Sequence, residues 1–336
     1  MVVLAGFSIY RHRVKTLNEE LKRRKMQLEL ERKATEAERS AKEHVIQLSE
    51  AYSRFVPHIF FNFLGKESIL DVNLGDQVEK ELTVLFADIR DFTSLSENLT
   101  PKETFDFINS YLGQMGPIVY QSEGFVDKYI GDAIMAVFPT AQQAVHAAIQ
   151  MNTILLSEQS QKRIRNHQMP VRIGIGINTG NLMLGTVGQK NRMDGTVISD
   201  AVNLAARLES LTSYYGVDIL FSEETYLGLT DPDLYQVRLL DNVTVKGKKK
   251  PVRVFEALDG LPEPVRLLKV QSAPAVEEAL NHYRFGELAP AKKIFRDCLR
   301  KCPEDRASAI YIQRCDHYLQ VGIGDDWDGV HNMEFK

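Results

Sequence analysis

Two aspartates of this 336-residue chain lie where carboxylates can converge on a metal ion. Asp88 follows residues 82–87, a short apolar run with the composition of a β-strand. Asp132 belongs to a Gly131-Asp132 pair between two further β-prone runs, and this pattern predicts a β-hairpin with Asp132 in its turn. Carboxylates at neighbouring strand ends suit Mg²⁺ that is shared with substrate phosphates. The plainer alternative is that each aspartate only ends its strand or caps a turn.

The segments that contain these aspartates, FADIRDFT and KYIGDAIMA, resemble the catalytic domain of class III nucleotide cyclases. The resemblance extends over residues 78–258. It implies an α+β fold with a ferredoxin-like palm, and an enzyme that forms a 3′,5′-cyclic nucleotide and pyrophosphate from a nucleoside triphosphate. It also implies that Asp88, Asp132 and the backbone carbonyl of Ile89 hold two Mg²⁺ (or Mn²⁺) ions.

The same resemblance assigns the residues that read the base. Lys128 falls where the family places a base-reading lysine, and Thr196 falls where many adenylate cyclases carry aspartate. Adenine offers an acceptor at N1 and a donor at N6, and guanine reverses both; a lysine only donates, whereas a hydroxyl can accept. The Lys/Thr pair resembles a bacterial subgroup, cyanobacterial cyclases among them, that often responds to bicarbonate. Guanylate cyclases usually carry glutamate at the lysine position, so ATP is the favoured substrate and GTP the alternative.

Three further groups complete the implied site. Asn203 and Arg207 are four residues apart, on one face of a predicted helix. They match the family's transition-state pair, in which asparagine orients the ribose and arginine stabilises the α-phosphate. Lys246 or Lys248 is expected to hold the terminal phosphates. Asn181 departs from the pattern, because mammalian cyclases place an arginine there, near the γ-phosphate.

The family builds each site from two subunits, one giving the metal carboxylates and the other the base-reading and transition-state residues. Because this chain carries both sets, the resemblance implies a C2 homodimer with two equivalent sites. A diguanylate cyclase should show a GG[DE]EF-like turn, which residues 130–133 lack. From a different class, an inactive cyclase-like domain could serve as a nucleotide-binding or dimerisation module. Such modules typically lose a metal aspartate or the arginine, and this chain keeps both.

Composition and cysteine content limit the classes of binding partner and the cellular compartment that the sequence predicts. The hydrophobic content is 44% and the formal net charge is −4, which gives no reason to expect nucleic acid as a partner. The cysteines are Cys298, Cys302 and Cys315. Their odd number argues against a disulfide framework, and helical periodicity around them predicts buried thiols in a reducing cytoplasm.

The N-terminus predicts a link to a membrane. Residues 1–10 are apolar and RHRVK follows. Ten residues are too few to span a bilayer, which needs about twenty. The order, apolar then basic, is typical of the cytoplasmic end of a transmembrane helix. Residues 1–13 are therefore expected to end a membrane segment, with the catalytic domain on the cytoplasmic side of the cell membrane. If Met1 is the native start, a soluble cytoplasmic protein is expected.

A long helix should follow. Residues 14–56 contain neither glycine nor proline, and Pro57 is expected to end the helix. Apolar residues recur at three- and four-residue spacing, which predicts a coiled-coil signalling helix. A parallel coil would hold two catalytic domains side by side. Residues 57–77 are interpreted as the connector to the catalytic domain.

Within the catalytic domain, hydrophobic periodicity predicts helices over 101–122 and 141–164. The glycine-rich run VRIGIGINTGNLMLGTVG alternates as strands do and opens no helix, so two strands are predicted instead of a dinucleotide-binding loop. Ser199 is the expected N-cap of the Asn203 helix. The later strands are predicted at 218–221, 235–239, 243–246 and 252–257.

The remaining chain is predicted to form a linker, a helical extension and a tail. Residues 259–274 contain three prolines and are interpreted as a linker. Residues 275–322 resemble a tetratricopeptide-like helical extension of one repeat and a half. The tail, 323–336, is acidic and aromatic, and its sequence suggests no role.

Overall fold

The computed structural model describes residues 2–53, 58–66, 68–156, 171–189, 191–245 and 250–333. The chain divides into two compact units, Met1–His58 and Ile59–Lys336. The first contains α1 (Val2–Ser53), one continuous helix. Ion pairs four residues apart, such as Arg32–Glu36 at 2.9 Å, add modest support to the isolated helix.

The apolar residues of the predicted seam are exposed on α1. Leu17, Leu21 and Leu28 are each more than half exposed. The long helix is thus present as predicted, and its pairing into a coiled coil stays a prediction. Among the described residues, none of the helices combines the length and the apolar content that crossing a bilayer requires.

The second unit is built on one mixed sheet. Its strands are β1 (Gln77–Ile89), β2 (Phe125–Ile130), β3 (Ala133–Phe138), β4 (Ile173–Gln189), β5 (Arg192–Ile198), β6 (Ile219–Ser222), β7 (Val237–Val245), β8 (Val252–Ala257) and β9 (His331–Met333). In the described part of the chain their order is β2-β3-β1-β4-β6-β8-β7-β9, and β5 pairs with β4. The β4–β6 and β7–β9 pairs are parallel and the others antiparallel.

Helices cover both faces of this sheet, which confirms the α+β class. They are α2 (His58–Phe63), α3 (Phe92–Ser96), α4 (Pro101–Gln121), α5 (Ala141–Leu156), α6 (Asp200–Tyr215), α7 (Glu223–Leu227), α8 (Glu263–Arg284), α9 (Leu288–Lys301) and α10 (Arg306–Val321). Met115 of α4 and Ala148 of α5 belong to the buried cluster on one face. Leu208 of α6 and Ile310 of α10 belong to the cluster on the other.

Alternating glycines let α6 lie unusually close to β4. The isoleucines of the IGIGI run face the core under α4 and α5, so Gly174 and Gly176 face α6. A Cβ on Gly176 would lie 2.1 Å from the backbone nitrogen of Glu209 and 2.3 Å from the carbonyl oxygen of Ala205. A side chain there would therefore push the helix away. The glycines serve strand–helix packing, in agreement with the predicted strand.

Two of the predicted strand breaks are wrong. Residues 171–178 and 182–187 were expected as separate strands, but β4 runs through them, with Asn181 paired to Glu81. The strands predicted at 235–239 and 243–246 are likewise one in the described chain, because β7 runs from Val237 to Val245 past a bulge between Leu239 and Asp241. Polar residues suggested an end in each case. A partner strand satisfies their backbone groups, so the ladder continues.

The predicted linker over 259–274 is also wrong, because α8 begins at Glu263. Pro262 is its N-cap residue and Pro264 lies in its first turn, where a missing backbone N–H costs nothing. Pro274 lies inside the helix with its side chain exposed. The helices α8, α9 and α10 pack together around residues such as Phe295. Their resemblance to tetratricopeptide repeats stays a prediction.

A buried ionic cluster fastens these helices to the sheet. Arg238 of β7 donates to Glu256 of β8 at 2.6 Å and to Asp305, which precedes α10, also at 2.6 Å. Lys269 of α8 donates to the other oxygen of Glu256 at 2.6 Å. None of these side chains is more than 4% exposed. Buried charges need this mutual pairing, so the helices and the sheet edge depend on each other.

The tail returns the chain to the sheet. Trp327 packs edge-on against Tyr283, with ring centroids 5.2 Å apart, and donates to its carbonyl oxygen at 3.1 Å. Strand β9 then pairs with the end of β7, and Met333 enters the core. The tail thus covers part of an otherwise open strand edge.

We expect Asp305→Ala to lower the free energy of unfolding by about 3–5 kcal/mol, because Arg238 would stay buried without one of its carboxylates. Fluorescence of Trp327, the single tryptophan of the sequence, reports urea unfolding of this region. The matched control is Asp297→Ala, whose partner Arg300 is 78% exposed. That change should cost less than about 1 kcal/mol. Equal urea midpoints for the two variants would contradict the expectation.

Candidate active site

The two aspartates singled out in the sequence meet at one end of the sheet. Asp88 is the penultimate residue of β1, and Asp132 lies in the two-residue turn between β2 and β3. Gly131 supplies the positive φ (+67°) that this turn requires. The carboxyl groups lie close enough for Asp132 to raise the pKa of Asp88. The predicted hairpin is confirmed, and the strands position both side chains as the sequence suggested.

The electrostatics of this pair favour a cation. Burial, and then the neighbouring carboxyl group of Asp132 with its negative charge, raise the pKa of Asp88 to about 6. The backbone N–H of Ile89 donates to Asp88 Oδ1 at 3.0 Å and opposes that shift. Two carboxylates this close repel each other when both are ionised. A divalent cation between them would remove the repulsion, so the donor set fits Mg²⁺ or Mn²⁺.

A buried hydroxyl next to the pair supports this fit. Tyr111 of α4 is 4% exposed, and its hydroxyl has no hydrogen-bond partner among the described residues. Burial and the charges of Asp88 and Asp132 raise its pKa. Buried polar groups are normally satisfied. A hydrated cation held by the two carboxylates would supply a partner close by.

Glu209, which no sequence motif indicated, belongs to the same charged region. It lies on α6, and burial and the negative charge of Asp88 raise its pKa to about 7, while the positive charge of Arg90 opposes the rise. Arg90 itself donates to the carbonyl oxygen of Val217 at 2.6 Å. Only the packing of α6 on β4 brings Glu209 here. No local pattern in the sequence carries that information.

The predicted base-reading residues also meet. Lys128 of β2 donates to the Thr196 hydroxyl of β5 at 2.6 Å. Its ammonium lies 3.0 Å from Asp127, whose side chain is 2% exposed. Asp127 occupies a bulge between Val126 and Lys128. Burial raises the pKa of Asp127, and Lys128 lowers it. Asp127, also missed in the sequence, restrains the lysine that faces Thr196.

Asn203 and Arg207 project from α6 as their spacing predicts. Ser199 caps this helix by accepting from the backbone N–H of Ala201 at 3.0 Å, which confirms the predicted N-cap. The Ser199 hydroxyl donates to the Asn181 carbonyl oxygen at 2.6 Å and so fixes the helix on β4. Asn203 is exposed and Arg207 half-buried. Neither side chain has a hydrogen-bond or ion-pair partner within the described residues.

The other predicted ligands are placed only in part. Ile89, expected to offer its carbonyl to the metal, pairs with Ile173 next to Asp88. Lys246 and Lys248, expected to hold the terminal phosphates, lie outside the described residues. Three pairs of side chains are therefore visible: the two aspartates, the lysine with threonine, and the asparagine with arginine.

The chain is similar in sequence to known proteins. The family model of the adenylate and guanylate cyclase catalytic domain matches residues 75–256. A terminal-differentiation-specific adenylate cyclase of Dictyostelium discoideum is 39% identical over 283 residues, which are 82% of this chain and 13% of that protein. An adenylate cyclase of Anabaena cylindrica is 41% identical over 213 residues, which are 62% of this chain and 42% of that protein. The chain thus spans less than half the length of these relatives.

A solved structure shares the fold. A bacterial light-regulated adenylyl cyclase superimposes with a TM-score of 0.55, at 24% sequence identity, over 69% of this chain and 67% of that chain. At this level of identity the similarity concerns the fold alone.

Proposed function

Because the chain belongs to the adenylate and guanylate cyclase catalytic domain family, we propose that it is an adenylate cyclase that converts ATP to 3′,5′-cyclic AMP and pyrophosphate in signal transduction. The observation that carries the choice of ATP is the hydrogen bond between Lys128 and Thr196. A lysine that can donate to adenine N1, beside a hydroxyl that can accept from N6, matches the polarity of adenine. The adenylate cyclases among its relatives support the same choice.

Each visible pair has a role in the proposed reaction. Asp88 and Asp132, with the Ile89 carbonyl, would hold two divalent cations. Bound there, such ions lower the pKa of the ribose 3′-hydroxyl and neutralise charge on the phosphates. Asn203 orients the ribose for attack on the α-phosphorus, and Arg207 stabilises the charge that develops on the α-phosphate. Lys246 or Lys248 binds the terminal phosphates.

We propose further that a homodimer completes the site. The unpartnered Asn203 and Arg207 are available to a ligand held by a second copy. In such a dimer the aspartates of one subunit face the base-reading and transition-state residues of the other. Two equivalent sites follow from the two-fold symmetry.

Complementation tests the reaction and the shared site together. Asp88→Ala and Arg207→Ala should each abolish cyclic AMP formation from ATP and Mg²⁺, because each change destroys both sites of a homodimer. When the two variants are co-expressed, half of the dimers are mixed and each has one intact site, so activity should return to about a quarter of wild type.

The matched control pairs Asp88→Ala with Asp132→Ala. Both changes fall in the same half-site, so no intact site forms and activity should stay absent. Recovery in this control, or none in the first mixture, would contradict the shared site. If the wild-type protein forms no cyclic nucleotide from ATP or GTP with either Mg²⁺ or Mn²⁺, a nucleotide-binding module is favoured.

Base choice is tested by Lys128→Ala. Loss of a charged hydrogen-bond donor should lower kcat/KM for ATP by about 10- to 100-fold and lower the ratio of ATP to GTP turnover. Lys102→Ala removes an exposed lysine from α4 and is the matched control. Competing formation of cyclic AMP and cyclic GMP from mixed substrates measures the ratio. An unchanged ratio in Lys128→Ala would exclude this role.

The exposed seam of α1 leads us to propose a parallel coiled coil between two copies. A shift of the coil would then change the angle between the catalytic domains. The membrane tether predicted from residues 1–13, and the position at the cytoplasmic side of the membrane, remain predictions.

Truncation tests the coil. A chain that begins at Arg54 should lose specific activity on dilution to nanomolar concentration, whereas the full chain should keep it, because the coil raises the effective concentration of the second domain. At saturating protein, a regulatory coil should also give the two chains different specific activities. Equal specific activities of the two chains at every protein concentration would exclude both the dimerising and the regulatory role of the coil.

A further inference from the structure

One aromatic side chain lies between the two strands that carry the base-reading residues. Phe60 of α2 is 3% exposed. Its ring packs edge-on against that of Phe125 in β2, with centroids 6.5 Å apart. On its other side it meets Gly195 of β5. A Cβ on Gly195 would lie 2.8 Å from Phe60 Cε1 and 2.9 Å from its Cζ.

These two contacts are close in sequence to the proposed base pocket. Phe125 is three residues before Lys128 on β2, and Gly195 directly precedes Thr196 on β5. The two strands are not paired with each other: in the described chain β2 pairs with β3, and β5 pairs with β4. No ladder of backbone hydrogen bonds among the described residues therefore joins β2 to β5 directly. The Phe60 ring, which packs on Phe125 of β2 and lies against Gly195 of β5, and the Lys128–Thr196 hydrogen bond both link the two strands.

We propose that Phe60 is a positioning residue for base selection, which sets the distance between Lys128 Nζ and Thr196 Oγ1 by holding β2 and β5 apart at a fixed width. The inference rests on the proposed role of Lys128 and Thr196 in reading the base. It extends that role to α2, the short helix that precedes the catalytic domain. Withdrawal of Phe60 would let β5 move and would weaken recognition of adenine.

Gly195 fits this role because of space. Its φ lies outside the left-handed region, so an alanine could adopt the same backbone conformation. The three atoms nearest to an added Cβ all belong to the Phe60 ring. An aromatic ring is rigid and cannot fold away as a long aliphatic chain can. Gly195→Ala should therefore displace β5 and Thr196, and a smaller side chain at position 60 should relieve the clash.

A pair of substitutions tests the contact. Phe60→Leu and Gly195→Ala should each lower the ratio of kcat/KM for ATP to that for GTP by about three- to tenfold, chiefly through a higher KM for ATP. In the double variant the leucine makes room for the alanine methyl, so the ratio should lie closer to wild type than in either single variant. Such non-additivity is expected of two groups in direct contact. If Phe60→Leu lowers the yield of folded protein, Gly195→Ala still probes the same contact.

Phe63→Leu is the matched control. Phe63 lies on the same helix and packs on the same Phe125 ring, with centroids 5.9 Å apart, but its atoms are not among those nearest Gly195. It should lower the melting temperature and leave the ATP to GTP ratio unchanged. An equal loss of selectivity in Phe63→Leu, or additive effects in the double variant, would overturn the inference.

Failure of the inference can be told apart from failure of the proposed function. If Lys128→Ala changes the ratio and both Phe60→Leu and Gly195→Ala leave it at the wild-type value, Phe60 has no positioning role and the proposed base reading stands. If Lys128→Ala leaves the ratio unchanged, the base reading itself is wrong, and the role of Phe60 falls with it.

Discussion

The close approach of α6 to β4 is the constraint on which the rest of the site depends. Helix α6 lies so close to β4 that a side chain at position 176 would clash with the helix backbone. Strand β4 pairs with β1, β5 and β6, so whatever is fixed to β4 is fixed relative to both Asp88 and Thr196. The Ser199 cap sets where the helix begins, and that position decides the faces on which Asn203 and Arg207 lie. Two glycines and one cap thereby position residues that are far apart in sequence.

The same packing concentrates negative charge. Asp88 and Asp132 meet through the strand ends, and α6 adds Glu209 nearby. Arg90 lies in the same region, and its charge opposes the raised pKa of Glu209. The fold brings these carboxylates together without full compensation from its own cations, so the region is electrostatically incomplete. A divalent ion binds well where the fold already holds carboxylates close together, because it removes the repulsion between them.

Local patterns predicted the elements whose causes are local. The hairpin at Gly131 follows from the turn that glycine permits, and the start of α6 follows from the cap at Ser199. Sequence patterns failed where a contact with a residue far along the chain determines the local structure. The polar residues around Asn181 are held in β4 by pairing with β1. Pro262 and Pro264 fit the start of α8, and that helix is held in place because its Lys269 joins the buried charges of β7 and β8.

The residues of the candidate site show the same difference between local and long-range causes. Lys128, Thr196 and the aspartates were found through their motifs, and their neighbours were not. Asp127 reaches Lys128 because of a bulge, and Tyr111 comes from a helix that crosses the face of the sheet. Phe60 contacts Gly195 across more than a hundred residues of chain. These residues act by contact, and periodicity along one segment contains no record of contacts made with another.

The residues proposed for base recognition and those proposed for phosphate chemistry share β4 but differ in their other contacts. Lys128 and Thr196 lie on β2 and β5, with Phe60 of α2 between these strands. Asp88, Asn203 and Arg207 depend on the packing of α6 against β4 and β1. A change in the first set of contacts can alter which base is accepted while the carboxylates and α6 keep their geometry. A change in the second would disturb the reaction for any base. Under the proposed roles, substitutions around Phe60 would therefore change the choice of base before they change the chemistry, although both groups of residues remain joined through β4.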